Sequence, residues 1–185
     1  MLKSEKGRIG EELVIECLKN VKRYHYVINN VTFLNYKSKM THQIDHILIH
    51  PYGIFIIETK NYRGEISIDN KTGFWYLKNN KRIVRISNPV SQNKSHMYML
   101  YRVLQGNYKV IPVVVFVKNN APKTNFKNVI NLNDLFLFIY SYKTENIYSD
   151  NEIDKIKILI DKYKVDVTNE EHISKINKLK NKTNQ

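Results

Sequence analysis

Three charged side chains bracket two apolar runs between residues 43 and 60, Gln43-Ile44-Asp45-His46-Ile47-Leu48-Ile49-His50-Pro51-Tyr52-Gly53-Ile54-Phe55-Ile56-Ile57-Glu58-Thr59-Lys60. Asp45 opens the first run, Glu58 and Lys60 close the second, and Pro51-Tyr52-Gly53 makes the turn between them. Folded as a β-hairpin, the segment brings Asp45 and Glu58 from neighbouring strands to one sheet edge. Two carboxylates there suit a hard cation such as Mg²⁺, which takes a few protein oxygens and completes its shell with water and substrate phosphate. The Thr59 backbone carbonyl is a further oxygen in reach. Lys60 has the strand parity of Glu58, so its ammonium can orient an attacking water or stabilise a transition state. A cation so held lowers the pKa of a bound water and neutralises charge growing on phosphorus, which is what phosphodiester hydrolysis requires. A Glu-x-Lys at a strand end is ordinarily a solvated pair. Here the acids interrupt runs of Ile, Leu and Phe, where a charge is expensive unless paired or metal-bound.

The flanking elements must position these groups. Residues 4–19 read as a helix capped by Ser4, with Ile9, Leu13, Val14, Cys17 and Leu18 at helical spacing. Gly7 and Gly10 fall inside that stripe at a cost of about 1 kcal/mol each, which close approach to another backbone would offset. Glu11 lies on the edge of the stripe, half buried, while Glu12 points furthest away. Residues 25–34 look like a first strand, interrupted at Asn29-Asn30. Residues 35–41 are a polar loop. The strands at 42–49 and 53–60 are apolar enough to be buried on both faces, hence central and covered by helices.

Beyond the hairpin, residues 64–69, 74–77 and 83–86 form an antiparallel region on the edge of the core. Asn88 and Pro89 start a helix that runs to about Gln105 and stops at Gly106. Val90, Met97, Leu100, Tyr101 and Leu104 make its apolar stripe, and Gln92 and His96 share a neighbouring face. Residues 109–117 are another strand, where Pro112 argues for a place near the strand start or at an edge. A short strand at 129–130 precedes one helix capped by Asn131 or Asn133 and another capped by Ser149 or Asp150. The domain reading is a core over 1–120, a strand and helices over 121–167 packing on or extending it, and a Lys-rich tail over 168–185.

The formal charge is +13 over 185 residues. That excess points to a polyanionic partner, most often nucleic acid, although AT-rich coding also favours lysine. A single cysteine, Cys17, excludes a disulfide framework and a Cys-rich zinc site. No apolar run approaches the roughly 20 residues of a membrane span, and the first residues lack a signal peptide's apolar stretch. A cytoplasmic protein without membrane contact is the expectation.

Four motifs occur in order: Gly7-x-x-Gly10-Glu11, Gln43-Ile44-Asp45-His46, Gly53-Ile54-Phe55-Ile56-Ile57-Glu58-Thr59-Lys60-Asn61 and Asn88-Pro89-x-x-Gln92. Together they resemble the nuclease-related domain (NERD) family, within the PD-(D/E)XK nuclease superfamily, over roughly residues 5–117. The resemblance implies a restriction-endonuclease-like, three-layer α/β/α core around a central mixed sheet, akin to archaeal Holliday junction resolvases, here with a helical C-terminal extension. It also implies a DNA-processing nuclease dependent on Mg²⁺ or Mn²⁺, with no small-molecule cofactor. By position, Glu11, Asp45, Glu58, Lys60 and Gln92 match the family's polar motif residues. Asp45, Glu58, the Thr59 carbonyl and Glu11 are the expected metal ligands. Ile44 stands where the superfamily often has proline. Superfamily nucleases often dimerise to cut both strands, so a homodimer is an expectation, though no dimer stripe is legible.

Several other features carry competing readings. His42, His46 and His50 recur every four residues, a zinc face on a helix, but the segment reads as a strand. Trp75 with Lys78, Lys81, Arg82 and Arg85 is the best candidate for a DNA-contact hairpin, against an ordinary exposed hairpin. The alternative to a nuclease is a catalytically weak or inactive DNA-binding or adaptor module of the same fold, served by the hairpin and the basic tail.

Overall fold

The computed structural model describes residues 5–35, 40–80, 82–144 and 147–165. Ser4, Lys81 and the basic tail over 168–185 lie outside them. Five strands form the main sheet in the order β1 (Tyr26–Asn35), β2 (Met40–His50), β3 (Gly53–Lys60), β7 (Val110–Phe116) and β8 (Val129–Asn131). The first three are antiparallel, and β3, β7 and β8 are parallel, so the sheet is mixed. β3 and β7 sit centrally and are buried almost throughout, as their unbroken runs of Ile, Val and Phe require.

Alternation across the pleat sorts the core into two layers. Ile54 and Ile56 of β3 face helix α2 (Pro89–Val103) and helix α4 (Asp150–Tyr163), where Leu100, Val103, Ile153, Ile156 and Ile160 cover them. Phe55 and Ile57 face the other way, onto Val14 and Leu18 of helix α1 (Glu5–Leu18) and Leu135 and Ile139 of helix α3 (Leu135–Tyr140). This is a three-layer α/β/α core. The described residues beyond 120 belong to its layers: β8 extends the sheet, α3 covers one face and α4 the other. α4 begins with a full capping box, the Ser149 hydroxyl accepting from Glu152 N–H and the Glu152 carboxylate accepting from Ser149 N–H. None of the helices among the described residues is long and apolar enough to cross a membrane.

A separate three-stranded sheet, β4 (Glu65–Ile68), β5 (Trp75–Asn79) and β6 (Arg82–Ile86), sits on the α2 side. Its inner face carries Ile66 and Trp75 onto Val114 and Phe116 of β7 and Val129 of β8. Pro112 stands third in the internal strand β7. Val114, of the same parity, gives its N–H to Asn128 on the β8 side, and β8 begins pairing only at Val114. The N–H that proline lacks would therefore point where no strand yet runs.

Two helix faces differ from the periodicity reading. On α1, Ile9 and Leu13 are exposed, and the buried face is Gly10, Glu11, Val14 and Leu18. On α2, Tyr101 is exposed while Asn93 and His96 are buried beside Leu100 and Val103. On α2 the polar residues hold core positions because the sheet below offers them partners, the Ile56 and Val113 carbonyls for Asn93 and Glu58 for His96.

Candidate active site

β1 and β2 share an irregularity that creates the site. Tyr26 and Ile28 of β1 face α2, and so do Val31 and Phe33, so the alternation slips by one residue between 28 and 31. β2 slips likewise, with Ile44 and Ile47 both on that face. The partners at the slip, Asn30 and Asp45, are missing from an otherwise continuous register, and Asn30 takes the left-handed φ of 52°. Each strand thus spends one extra residue at the same level. At this level β2 also leaves β3. Their ladder ends at His46–Ile57, although β2 and β3 both continue. The sheet forks at Asp45 on one side and Glu58 on the other.

Thr59 lies just past the last ladder pair, with its N–H turned toward β2. Asp45 Oδ2 accepts that N–H at 2.9 Å. The Thr59 carbonyl points the same way along the strand, while Lys60 turns its carbonyl to β7, where Val117 N–H bonds it at 3.1 Å. The fork therefore gathers the Asp45 carboxylate, a Thr59 backbone oxygen and the Glu58 carboxylate at one end of β3.

On the α2 face, Glu58 is 3% exposed. Its Oε1 accepts from Lys60 Nζ at 2.6 Å, and its Oε2 lies 3.6 Å from His96 Nε2. Lys60 Nζ also donates to Gln92 Oε1 at 3.2 Å. Burial opposes the Lys60 charge, but Glu58 offsets it by charge and hydrogen bond, with smaller help from Tyr62 and Asp45. The ammonium is held above its ordinary pKa. Lys60 is thus a fixed cation, which suits charge stabilisation and positioning better than proton abstraction. His42 stands edge-on to His96, ring centres 5.9 Å apart, and burial lowers its pKa.

On the α1 face the polar groups are differently partnered. His46 is fully buried, with Nδ1 2.8 Å from Asn29 Oδ1 and Nε2 3.2 Å from Thr59 Oγ1. Glu11 is 7% exposed on the inward side of α1. A Cβ on Gly10 would lie 2.8 Å from Asn61 Cβ, and Asn61 Nδ2 donates to the Lys6 carbonyl at 2.6 Å. The glycine is what lets α1 dock on the residue after Lys60.

Glu11 and Glu58 thus approach the end of β3 from opposite sides of the sheet. Among the described residues no group of three or more His, Cys, Asp or Glu is arranged to hold a metal ion. Glu11, expected as a further carboxylate ligand, is buried on the side of the sheet that α1 covers. A closed cage of the structural-zinc kind is not what these residues make. Two carboxylates and a backbone oxygen at an open sheet end do fit Mg²⁺ or Mn²⁺, hard cations that need only one or two carboxylates.

The histidines separate as well. The slip at Asp45 sends His42 to the α2 face and His46 and His50 to the α1 face, where His50 Nε2 lies 3.0 Å from the Lys22 carbonyl oxygen. Trp75 is corrected too. It is 1% exposed and lies parallel to Phe116 at 6.4 Å, so its ring belongs to the core and is closed to a stacking base. Lys78, Arg82 and Arg85 remain exposed, with Arg85 over the Phe74 ring at 3.3 Å. Lys81 is outside the described residues.

Asn93 and His96 were not singled out as site residues from the sequence. Asn93 Nδ2 donates to the carbonyls of Ile56 at 3.1 Å and Val113 at 2.9 Å, pinning α2 across β3 and β7. The signal was available: Pro89, Asn93, His96, Leu100 and Val103 follow the 4-3-4-3 spacing of one helix face.

A family model described as nuclease-related domain matches residues 6–117. The chain belongs to the nuclease-related domain family. That family lies within the PD-(D/E)XK nuclease-like superfamily, in agreement with the three-layer core. An uncharacterized protein of Bacillus anthracis is 31% identical over 151 residues, covering 78% of this chain and 71% of the relative. No solved structure matches the chain.

Proposed function

We propose that this NERD protein is a metal-dependent deoxyribonuclease whose active site is the fork between β2 and β3. The observation that carries the reading is the convergence at one sheet end of Asp45, the Thr59 carbonyl and the Glu58–Lys60 pair. Asp45, Glu58 and the Thr59 carbonyl would hold Mg²⁺ or Mn²⁺. The cation, when bound, supplies an acidified water and neutralises phosphate charge.

The chain's own groups do the rest. Lys60, fixed by Glu58 and Gln92, presents an ammonium where charge develops on the phosphate oxygens, at no reorganisation cost. Thr59 N–H orients the Asp45 carboxylate. Asn93 holds α2, and with it Gln92, at a set height over the sheet. Glu11 acts from the α1 side as a supporting carboxylate. The exposed cations of the β5–β6 hairpin supply phosphate affinity that falls with salt.

A second reading has one observation in its favour. Glu58 already closes on Lys60 at 2.6 Å, as it would in a DNA-binding module that has given up catalysis. Purified protein incubated with supercoiled, linear, single-stranded and branched DNA in Mg²⁺ or Mn²⁺ separates the two. The nuclease reading requires cleavage that Asp45→Asn abolishes. Binding without cleavage, or cleavage that Asp45→Asn leaves intact, rejects it.

A further inference from the structure

A cavity of about 640 Å³ lies between the small sheet and the 123–126 segment, and none of Asp45, Glu58, Thr59 or Lys60 lines it. It is lined by Ile68, Asp69, Asn70, Gly73, Trp75 and Asn88 on one side and by Lys123, Thr124, Asn125 and Phe126 on the other. Its volume is in the range of small-molecule pockets, roughly 300–1,000 Å³. Two chains of contacts connect it to the chemistry. Trp75, in its wall, lies against Phe116, and Phe116 pairs in register with Lys60. Asn88, also in its wall, caps the helix that carries Gln92, the Lys60 partner.

The chemistry of the lining is graded. Phe126 is 45% exposed, an aromatic face open to a stacking partner. Asn70 and Asn125 are exposed amides, able to donate to and accept from a base edge. Lys123, also exposed, is the cation of the lining. At the other end, the Asp69 carboxylate accepts from Lys71 N–H and the Thr72 hydroxyl, which hold its pKa below the usual range. An anion is unwelcome beside that carboxylate, and a base with exocyclic amino groups is not. Gly73 leaves the floor open, since a Cβ there would meet nothing within 4 Å.

We infer that this cavity takes one unstacked nucleotide of a single DNA strand, stacked on Phe126 with its phosphate at Lys123, next to the phosphate presented to Lys60. The inference rests on the nuclease reading and adds a substrate class to it. A base inside an intact duplex cannot enter such a cavity without leaving its stack, whereas single strands offer bases freely to aromatic platforms. The protein therefore prefers single-stranded or splayed DNA to uniform duplex.

The test is binding of the full chain, in EDTA, to one labelled oligonucleotide offered single-stranded or as its duplex. Trp75, the only tryptophan, serves as the built-in reporter. The expected result is tighter binding of the single strand, a change in tryptophan fluorescence on saturation with it, and a fivefold or greater loss of that affinity in Phe126→Ala. Lys123→Ala should weaken it to a lesser degree, with duplex binding unmoved in both variants. Phe126 and Lys123 are exposed, and an unchanged melting temperature verifies folding. Equal affinity for the two forms, or equal losses on both forms in Phe126→Ala, overturns the inference. Mn²⁺-dependent stabilisation through Asp45 does not involve the cavity. If that stabilisation is present without a strand preference, the cavity assignment fails alone. If the preference is present without Mn²⁺ stabilisation, the nuclease reading fails instead.

Discussion

The two faces of the sheet at the end of β3 hold comparable numbers of polar side chains and use them differently. On the α2 face, Glu58 and Lys60 form a buried ion pair flanked by Gln92 and His96. On the α1 face, His46 bridges Asn29 and Thr59 in a buried hydrogen-bonded chain, and Glu11 is the acid that α1 turns inward. A buried ion pair is poor value as a stabiliser, since desolvation cancels much of its attraction. A buried hydrogen-bonded network whose members are satisfied does stabilise. The contrast teaches that the α1 face is built to fix the fork and the α2 face to use it.

Activity should break most sharply along that division. Asp45→Asn and Glu58→Gln are expected to lower the cleavage rate by about 100-fold or more, as removal of a principal charge-stabilising group does. Glu11→Gln, on the far face, is expected to lose less than about tenfold, within the range of a supporting acid–base or positioning group. Single-turnover rates on one DNA substrate rank the three, and a Glu11→Gln loss equal to that of Asp45→Asn would erase the distinction.

Stability should divide differently. Lys60→Ala leaves Glu58 buried without its main partner and is expected to cost about 3 kcal/mol, while adding Glu58→Gln should recover most of it. Urea titration of both variants checks this. A double variant no more stable than Lys60→Ala would mean that the pair is not what burial must offset. Asn93→Ala removes the donor shared by the Ile56 and Val113 carbonyls and is expected to cost about 2 kcal/mol, read as a lower urea midpoint with an unchanged slope.

The smallest expected effect is on pH dependence. Burial lowers the His50 pKa, with charge from His25 and Arg23 in the same direction and the Lys22 carbonyl opposing. A histidine depressed in the fold binds protons more readily when unfolded. Its contribution is therefore complete above the unfolded value near 6.5 and is lost as pH falls toward the folded one. Melting temperature should decline between pH 7 and pH 5, less steeply in His50→Gln. His42 on the α2 face is lowered by burial too, so His42→Gln shows which face carries the larger share.

Much of this architecture is legible in residue order. The runs at 47–49 and 54–57 could only be central strands, and Asn88-Pro89 could only open a helix. Asp45, Glu58 and Lys60 announce themselves by placing charge at the ends of those runs. The parity slip at Asn30 and Asp45 was half visible, since Asn29-Asn30 marked an interruption in β1 but nothing in β2 marked its match. Nothing in the four-residue spacing of His42, His46 and His50 marks the slip that puts His42 on one face and the other two on the opposite face. Trp75 misled for a related reason: neighbouring Lys and Arg suggested an open hairpin, whereas the inner face of the small sheet rests on Phe116. Glu11 was placed correctly as an inward-facing acid, but which face of the sheet its helix would cover depends on three-dimensional packing.

The nuclease reading turns on whether Asp45 and Glu58 hold a divalent cation at the fork. The most direct measurement is the melting temperature of the wild type, Asp45→Asn and Glu58→Gln across a Mn²⁺ titration. Binding at 100 times the dissociation constant is worth about 2.7 kcal/mol. A fork that binds the cation gives a saturable rise in the wild type that both variants lose. No rise in the wild type, or the same rise in all three proteins, would contradict it.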